Sequence, residues 1–331
     1  MCPAAIYGYS SSGKTVFLGL LYAAQTRYTN EARGESYRFY GDPSTIRQMG
    51  SMYNAMRNGR FPPANLKEEM SEIRFKFGFP RGLSQVLPEN IRKANWVKPF
   101  SIIDFAAYDV AGEDVEEFVE TGVTENRRVI QELLKAHIIV FIVDCSRFTV
   151  TTTGSLFDRM LDYDKNGAVL LSSLAKHKAD MAKKTAPTGG KKGTSQTTIY
   201  PVIVLSKFDQ IPSDVLTQLG LPPSPPAPSD HAGRERFGQA LMTRFLPQMF
   251  ALLKGGRLMG VNFDKSQFFF SWVQVAQVAG MDTSSKPSIE RDLKGDVKFA
   301  YDEYRAFIDY FRELADRAPD DVEEGNQVPS R

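Results

Sequence analysis

Residues 8–15 read GYSSSGKT. They fit the pattern G-x-x-x-x-G-K-[ST] in full, and each fixed position of that pattern has a physical task. Gly8 and Gly13 let the backbone turn so that successive N–H groups face one anion. Lys14 reaches the outer phosphates of a polyphosphate, the Thr15 hydroxyl is placed for Mg2+, and the start of the following helix adds a favourable dipole. The expected phosphate contacts come from Gly8, Ser10, Ser11, Ser12, Gly13, Lys14, Thr15 and Val16. A chance match is the alternative, and the surroundings argue against it. Residues 3–7 (PAAIY) read as a short buried strand. Val16, Phe17, Leu20, Leu21 and Ala24 recur at helical spacing, which predicts a helix over about 15–28.

Working outward, Asp42-Pro43-Ser44 marks a helix start, with the helix running to Arg57 and ending at Asn58-Gly59. Residues 71–79 (SEIRFKFGF) alternate, with Ile73, Phe75, Phe77 and Phe79 on one face and Arg74 and Lys76 on the other, as in a half-buried strand. A further strand is expected over 99–109 and a helix over 125–135. Three apolar runs follow: 137–144 (HIIVFIVD), 199–206 (IYPVIVLS) and 268–275 (FFFSWVQV). Uninterrupted apolar strands suit a parallel sheet covered on both faces. Helices are expected over 155–178, 231–254 and 297–315. The fold class is therefore α/β, a three-layer doubly wound and mostly parallel sheet, whose ligands bind at the carboxyl ends of the strands.

Composition agrees. The chain has 331 residues, 42% hydrophobic and 24% charged, with a formal net charge of +2. These values fit a globular protein and give no global electrostatic case for nucleic acid or anionic membrane. Cys2 and Cys145 read as small core residues rather than a disulfide. No signal peptide or span of about 18 apolar residues is seen. The expected compartment is the cytoplasm. The organisation expected is one domain over 1–315, with a polar basic insertion at about 180–198 and a proline-rich insertion at about 212–230. A disordered acidic tail is expected over 316–331.

Two more motifs lie just after predicted strands. Residues 109–114 read DVAGED. Asp109 at a strand end could hold Mg2+ through water, and Gly112 would offer a backbone N–H that senses a γ-phosphate. Asp104, five residues earlier, reads as a structural or edge carboxylate. Residues 206–209 read SKFD. Asp209 can accept two hydrogen bonds from guanine N1–H and N2–H2, a pattern that adenine lacks, and the Lys207 stem would lie across the base. Ser271 and Trp272, at the end of the third apolar run, could offer backbone N–H groups to the guanine carbonyl. Core packing explains the phenylalanines before them equally well.

GYSSSGKT, DVAGED and SKFD, in this order and each after a strand, resemble the signature of the Ras-like translation-factor class of P-loop GTPases. The resemblance spans about 3–275. It implies a Ras-like G domain that binds GTP or GDP with Mg2+, hydrolyses GTP and acts as a switch on a protein effector or activating partner, with no specific nucleic acid. The alternatives are a GTP-binding scaffold that does not hydrolyse, and an ATPase or phosphotransferase using the same loop, against which SKFD argues. The long insertions are similar to those of prokaryotic double-GTPase-type proteins near conflict systems, which implies a homodimer or a paired GTPase. Ser206 stands where the family has Asn or Thr. The family's switch threonine, a ligand of Mg2+, is matched best by Asn65 in 58–69 (NGRFPPANLKEE), with Thr45 a weaker rival. Glu113 stands where Ras-like members orient water with Gln, so the catalytic set implied is Lys14, Gly112 and Glu113, the metal set Thr15, Asn65 and Asp109, and hydrolysis is expected to be slow.

The remaining features have plainer readings. Lys183, Lys184, Lys191 and Lys192 lie in a low-complexity stretch without aromatics, expected to be a mobile solvated loop. The prolines of 212–230 read as a stiff spacer. His137 reads as a satisfied edge histidine, and Arg127 and Arg128 as a solvated helix face.

Overall fold

The computed structural model describes residues 2–8, 11–31, 37–62, 73–80, 100–107, 133–151, 153–185, 197–276 and 288–317. In chain order the elements are β1 (Cys2–Tyr7), α1 (Lys14–Glu31), β2 (Arg38–Gly41), α2 (Pro43–Arg57), β3 (Ile73–Pro80), β4 (Phe100–Ala107) and β5 (Ile138–Asp144). They continue with α3 (Ser155–Thr185), β6 (Thr198–Ser206), α4 (Ser213–Gln218), α5 (His231–Phe245) and α6 (Pro247–Lys254). After these come β7 (Arg257–Leu258), β8 (Val261–Phe263), β9 (Gln267–Ser271), β10 (Val275–Ala276), β11 (Ser288–Ile289) and α7 (Tyr301–Arg317).

The main sheet runs β2-β3-β4-β1-β5-β6, and β6 carries both β8 and β9 on its outer edge. β8 pairs with the start of β6 and β9 with its second half, from Val202↔Gln267 to Ser206↔Ser271. β1, β4, β5, β6 and β9 are parallel, whereas β3 runs antiparallel to β4 and β2 to β3. This is the doubly wound, mostly parallel sheet that the sequence led one to expect, with β2 as an additional edge strand.

The covering of both faces follows from the strands themselves. Every residue of β5 is buried. Ile139, Phe141 and Val143 join one apolar cluster with α3, α5 and α6. Ile138, Val140 and Ile142 join the opposite cluster with α1, α2 and α7. Alternate side chains of one strand thus feed two cores, which is why an unbroken apolar run was required. Each large side chain so buried contributes about 1.5–3 kcal/mol. Lys76 faces Asp104 across the antiparallel β3–β4 ladder at 3.5 Å, and β4 pairs with β1 on its other side, so Asp104 is a structural carboxylate inside the sheet rather than an edge one.

Several boundaries differ from expectation. The helix expected over 231–254 is two helices. Leu246 leaves helical geometry (φ −134°) and Pro247 opens the next helix, because proline disfavours the helical region for its predecessor. Asp164 of α3, fully buried, accepts hydrogen bonds from the Gln248 and Met249 amides at 2.9 and 2.8 Å and so closes the start of α6. Burial raises its carboxyl pKa. α3 runs to Thr185, so Lys183 and Lys184 belong to a helix end, not a loop. Lys191 and Lys192 lie outside the described residues. The proline-rich stretch contains a regular element, α4. The third apolar run ends as a strand at Ser271 rather than at 275, and α7 begins at Tyr301 rather than 297. The expected helix over 125–135 and the acidic tail fall mostly outside the described residues. Both cysteines are free and buried. Among the described residues no helix is long and apolar enough to cross a membrane.

Candidate functional site

β1 ends at Tyr7 and α1 begins at Lys14, so the 8–15 loop sits at the carboxyl edge of the sheet between two neighbouring strand ends. Its backbone is not one that ordinary residues adopt freely. Ser11 (φ 66°) and Gly13 (φ 89°) both occupy the left-handed region. Gly13 does so at no steric cost, while Ser11 is a non-glycine held there by its surroundings. At Gly8 the constraint is space: a Cβ would stand 2.6 Å from Ser12 Oγ and 3.0 Å from Ile142 Cβ. The loop therefore needs glycine at 8 for proximity and at 13 for conformation.

Lys14 is buried, and its Nζ donates to the Gly8 carbonyl at 2.7 Å, closing the loop on itself. Thr15 and Val16 follow in the first turn of α1, half-buried. Ser12 is buried to 1% exposure, and its hydroxyl has no hydrogen-bond partner among the described residues. Ser10 lies outside the described residues, as do Asn65, Asp109, Gly112, Glu113, Arg127 and Arg128. Thr45 is described. It sits in the first turn of α2, where its amide and hydroxyl both donate to the Asp42 carboxylate at 2.8 and 3.1 Å. The Ser44 hydroxyl and the Thr45 amide together hold the Asp42 pKa at about 2. Thr45 is thus engaged in a helix cap.

The SKFD segment meets this loop across the sheet. Ser206, buried at the end of β6, places its hydroxyl 2.5 Å from the Ser12 carbonyl and 2.9 Å from that of Val143. Lys207 has a left-handed backbone (φ 51°, ψ 39°), which turns its side chain back over the loop. Its Nζ donates to the Ser11 carbonyl and to Asp144 Oδ2, each at 2.8 Å. Asp209 lies in the short turn Phe208–Gln210. Partial desolvation raises its carboxyl pKa, against the pull of the Lys207 ammonium.

Ser271 stands beside Ser206 in register at the end of β9, and its hydroxyl pairs with that of Tyr304 at 2.6 Å. Trp272 packs against Phe208, with ring centroids 6.1 Å apart. The structure therefore brings together Gly8, Ser11, Ser12, Gly13, Lys14, Ser206 and Lys207, with Asp209, Ser271 and Trp272 on the adjoining strand ends. The sequence reading passed over Asp144. It ends the apolar run of β5, and its carboxylate gathers Lys207, Arg147 (Nε at 3.3 Å) and the Ser146 amide and hydroxyl. Its only signal was a carboxylate closing a strand beside the loop-bearing one.

Chemically, a loop with left-handed positions at 11 and 13, a lysine folded onto it and a helix start behind it can receive an anion through backbone N–H groups. Among the described residues no cluster of three or more His, Cys, Asp or Glu is placed to hold a metal. Of the expected Mg2+ ligands Thr15 is described, and so is the rival Thr45, whereas Asn65 and Asp109 lie outside the described residues.

No family model matches the chain, and no curated protein matches it. Among solved structures, the signal recognition particle receptor SRb-GTP/SRX complex from Chaetomium thermophilum is similar with a TM-score of 0.32 and 14% identity, over 82% of this chain and 90% of that one. The S. cerevisiae Ski7 GTPase-like domain bound to GTP is similar with a TM-score of 0.27 and 11% identity, over 80% of this chain and 42% of that one. Likenesses this distant decide nothing about the site, whose geometry stands on its own contacts.

Proposed function

We propose that this chain binds GTP and GDP with Mg2+ at the 8–15 loop, hydrolyses GTP slowly and serves as a nucleotide-dependent switch. The observation that carries the reading is the junction of two motifs about 190 residues apart. The Ser206 hydroxyl and the Lys207 ammonium bond to the Ser12 and Ser11 carbonyls, so a segment with base-reading chemistry is fixed to a loop with phosphate-binding chemistry. A nucleotide carries its phosphates at one end and its base at the other, and so would engage both segments.

In this reading Lys14 moves from the Gly8 carbonyl to the β- and γ-phosphates, and the backbone N–H groups of the loop hold the anion. Thr15, Asp109 and Asn65 would hold Mg2+, which would supply positive charge to the phosphoryl oxygens. Asp209 reads guanine, with the Lys207 stem along the base and the Ser271 and Trp272 amides near its carbonyl. The Gly112 amide senses the γ-phosphate, and Glu113 orients water less well than a neutral side chain because it stands beside an anion. Slow turnover suits a switch whose triphosphate state is read by an effector and ended by a partner, for which the double-GTPase resemblance suggests a second copy of this chain or a paired GTPase.

The test is direct. Purified chain with Mg2+ is expected to hold labelled GTP, to release it to unlabelled GTP but not to ATP, and to liberate phosphate more slowly than the ~1–10³ s⁻¹ common among enzymes. Lys14→Ala is expected to lose binding. Wild-type affinity for GTP in Lys14→Ala, or equal competition by ATP, overturns the reading.

A further inference from the structure

We propose that Asp144 is a positioning residue for the nucleotide: it sets Lys207 across the loop and thereby slows nucleotide release. The inference rests on the function proposed above and adds a residue to it. Asp144 closes β5, the strand between the loop-bearing β1 and the SKFD-bearing β6. Its side chain is 6% exposed, and Oδ2 lies 2.8 Å from Lys207 Nζ.

The geometry makes the carboxylate more than a neighbour. Lys207 leaves β6 with a left-handed backbone, a conformation that β-region residues at a strand end do not need and that costs free energy for a side chain with a Cβ. That turn brings Nζ to two acceptors, the Ser11 carbonyl and Asp144 Oδ2. The carbonyl alone is a neutral acceptor, whereas the carboxylate makes a charge-assisted bond about twice as strong. Asp144 is itself held from behind: the Ser146 hydroxyl and amide donate to Oδ1 at 2.6 and 3.1 Å, and Arg147 Nε approaches Oδ2 at 3.3 Å. A carboxylate fixed on both oxygens can orient a flexible lysine. With Lys207 oriented, its stem lies where a base would stack and its head pins the left-handed Ser11, so loop and base segment are set by one bond.

The experiment measures release of a fluorescent GTP analogue by stopped flow from the full chain with Mg2+, in wild type, Asp144→Ala, Asp144→Asn, Lys207→Ala and the Asp144→Ala/Lys207→Ala double variant. Asp144→Ala is expected to speed release about tenfold, the scale of a lost hydrogen bond to a charged group. Asp144→Asn, which keeps an acceptor, is expected to fall between. If Asp144 acts through Lys207, removing it from Lys207→Ala changes release by less than about twofold. Losses that multiply across the double variant, or release from Asp144→Ala at the wild-type rate, overturn the inference. Should Asp144→Ala fail to fold by circular dichroism, Asp144→Asn alone and in the Lys207→Ala background decides the matter by the same comparison. A wild type that holds no labelled GTP overturns the proposed function and this inference together. A wild type that binds while the Asp144 variants release normally overturns only this inference.

Discussion

Two serines end adjacent strands of the same sheet. Ser206 closes β6 and Ser271 closes β9, they stand opposite each other in register, and both are buried. Their partners differ. Ser206 lies against the backbone carbonyls of Ser12 and Val143, whereas Ser271 pairs with the Tyr304 hydroxyl on α7. The end of β6 is thus set by the N-terminal loop and by β5, and the end of β9 by the last helix. α7 holds β9 in a second way as well. Glu303 accepts from the Phe270 amide at 2.9 Å and forms a bidentate pair with Arg234, at 2.7 and 2.6 Å, while Arg234 also donates to the Phe268 carbonyl. The difference teaches that the two walls of the proposed base site are fixed by different parts of the chain: one is tied to the loop, the other to α7.

The largest effect is expected where β9 meets α7. Arg234 and Glu303 are each about 6% exposed. Glu303→Ala leaves the guanidinium buried without its carboxylate and the Phe270 amide without its acceptor. Breaking a buried pair from one side costs about 3–5 kcal/mol. Urea unfolding of wild type and Glu303→Ala checks this. A loss below about 1 kcal/mol would mean that α7 does not hold β9, and the contrast between the two strand ends would fail.

A smaller effect sharpens the contrast on the serines themselves. Ser271→Ala orphans the buried Tyr304 hydroxyl and is expected to lower stability by about 1–3 kcal/mol, while GTP affinity stays near wild type because the backbone amides remain. Ser206→Ala removes the donor that ties β6 to the Ser12 carbonyl. It is expected to weaken GTP binding by about 1 kcal/mol, roughly fivefold, with little change in the unfolding midpoint. Calorimetric binding and thermal unfolding on both variants separate the two. If both serines move the same observable, the ends of β6 and β9 are one unit rather than two.

Much of this arrangement was legible. The apolar runs of β5, β6 and β9 announced a covered parallel sheet because each residue has a core on its own side. The alternation of 73–79 announced a half-buried strand because only one face is buried: Ile73, Phe75, Phe77 and Phe79 are at most 3% exposed. The spacing of GYSSSGKT announced a turn whose glycines are required, as the close approach at Gly8 and the positive φ at Gly13 bear out. What escaped has physical reasons too. β2 is four residues long, too short for alternation to register. The break at Leu246 was carried by one residue pair, Leu246-Pro247, inside an otherwise helical pattern. Asp144 could not be weighed because its significance lies in a partner 63 positions away, and that partner reaches it only through a left-handed turn that residue type does not announce. Asp109, Gly112, Glu113 and Asn65 remain expectations from sequence, outside the described residues.

The smallest effect concerns Asp209, beyond the end of β6, and it is a pH effect. Desolvation raises its carboxyl pKa above the ordinary aspartate range, with the Lys207 ammonium pulling it down. Reading guanine requires the carboxylate, because only the ionised form accepts from both N1–H and N2–H2. The sign follows. Above the raised pKa the group is ionised and GTP affinity is flat with pH. As pH falls through that pKa the proton competes with the base, and affinity declines earlier than it would for an unshifted aspartate. The decline is therefore expected on the acid side of that raised pKa. Asp209→Asn removes the titrating group, so its weaker GTP affinity should lose this acid-side decline, and xanthine nucleotides, which offer an acceptor where guanine offers a donor, should bind it in preference. Titrating GTP affinity of wild type and Asp209→Asn from neutral to mildly acid pH makes the comparison. Parallel curves for the two proteins would mean that another group carries the acid dependence, and would remove Asp209 from the wall of the site that β6 supplies.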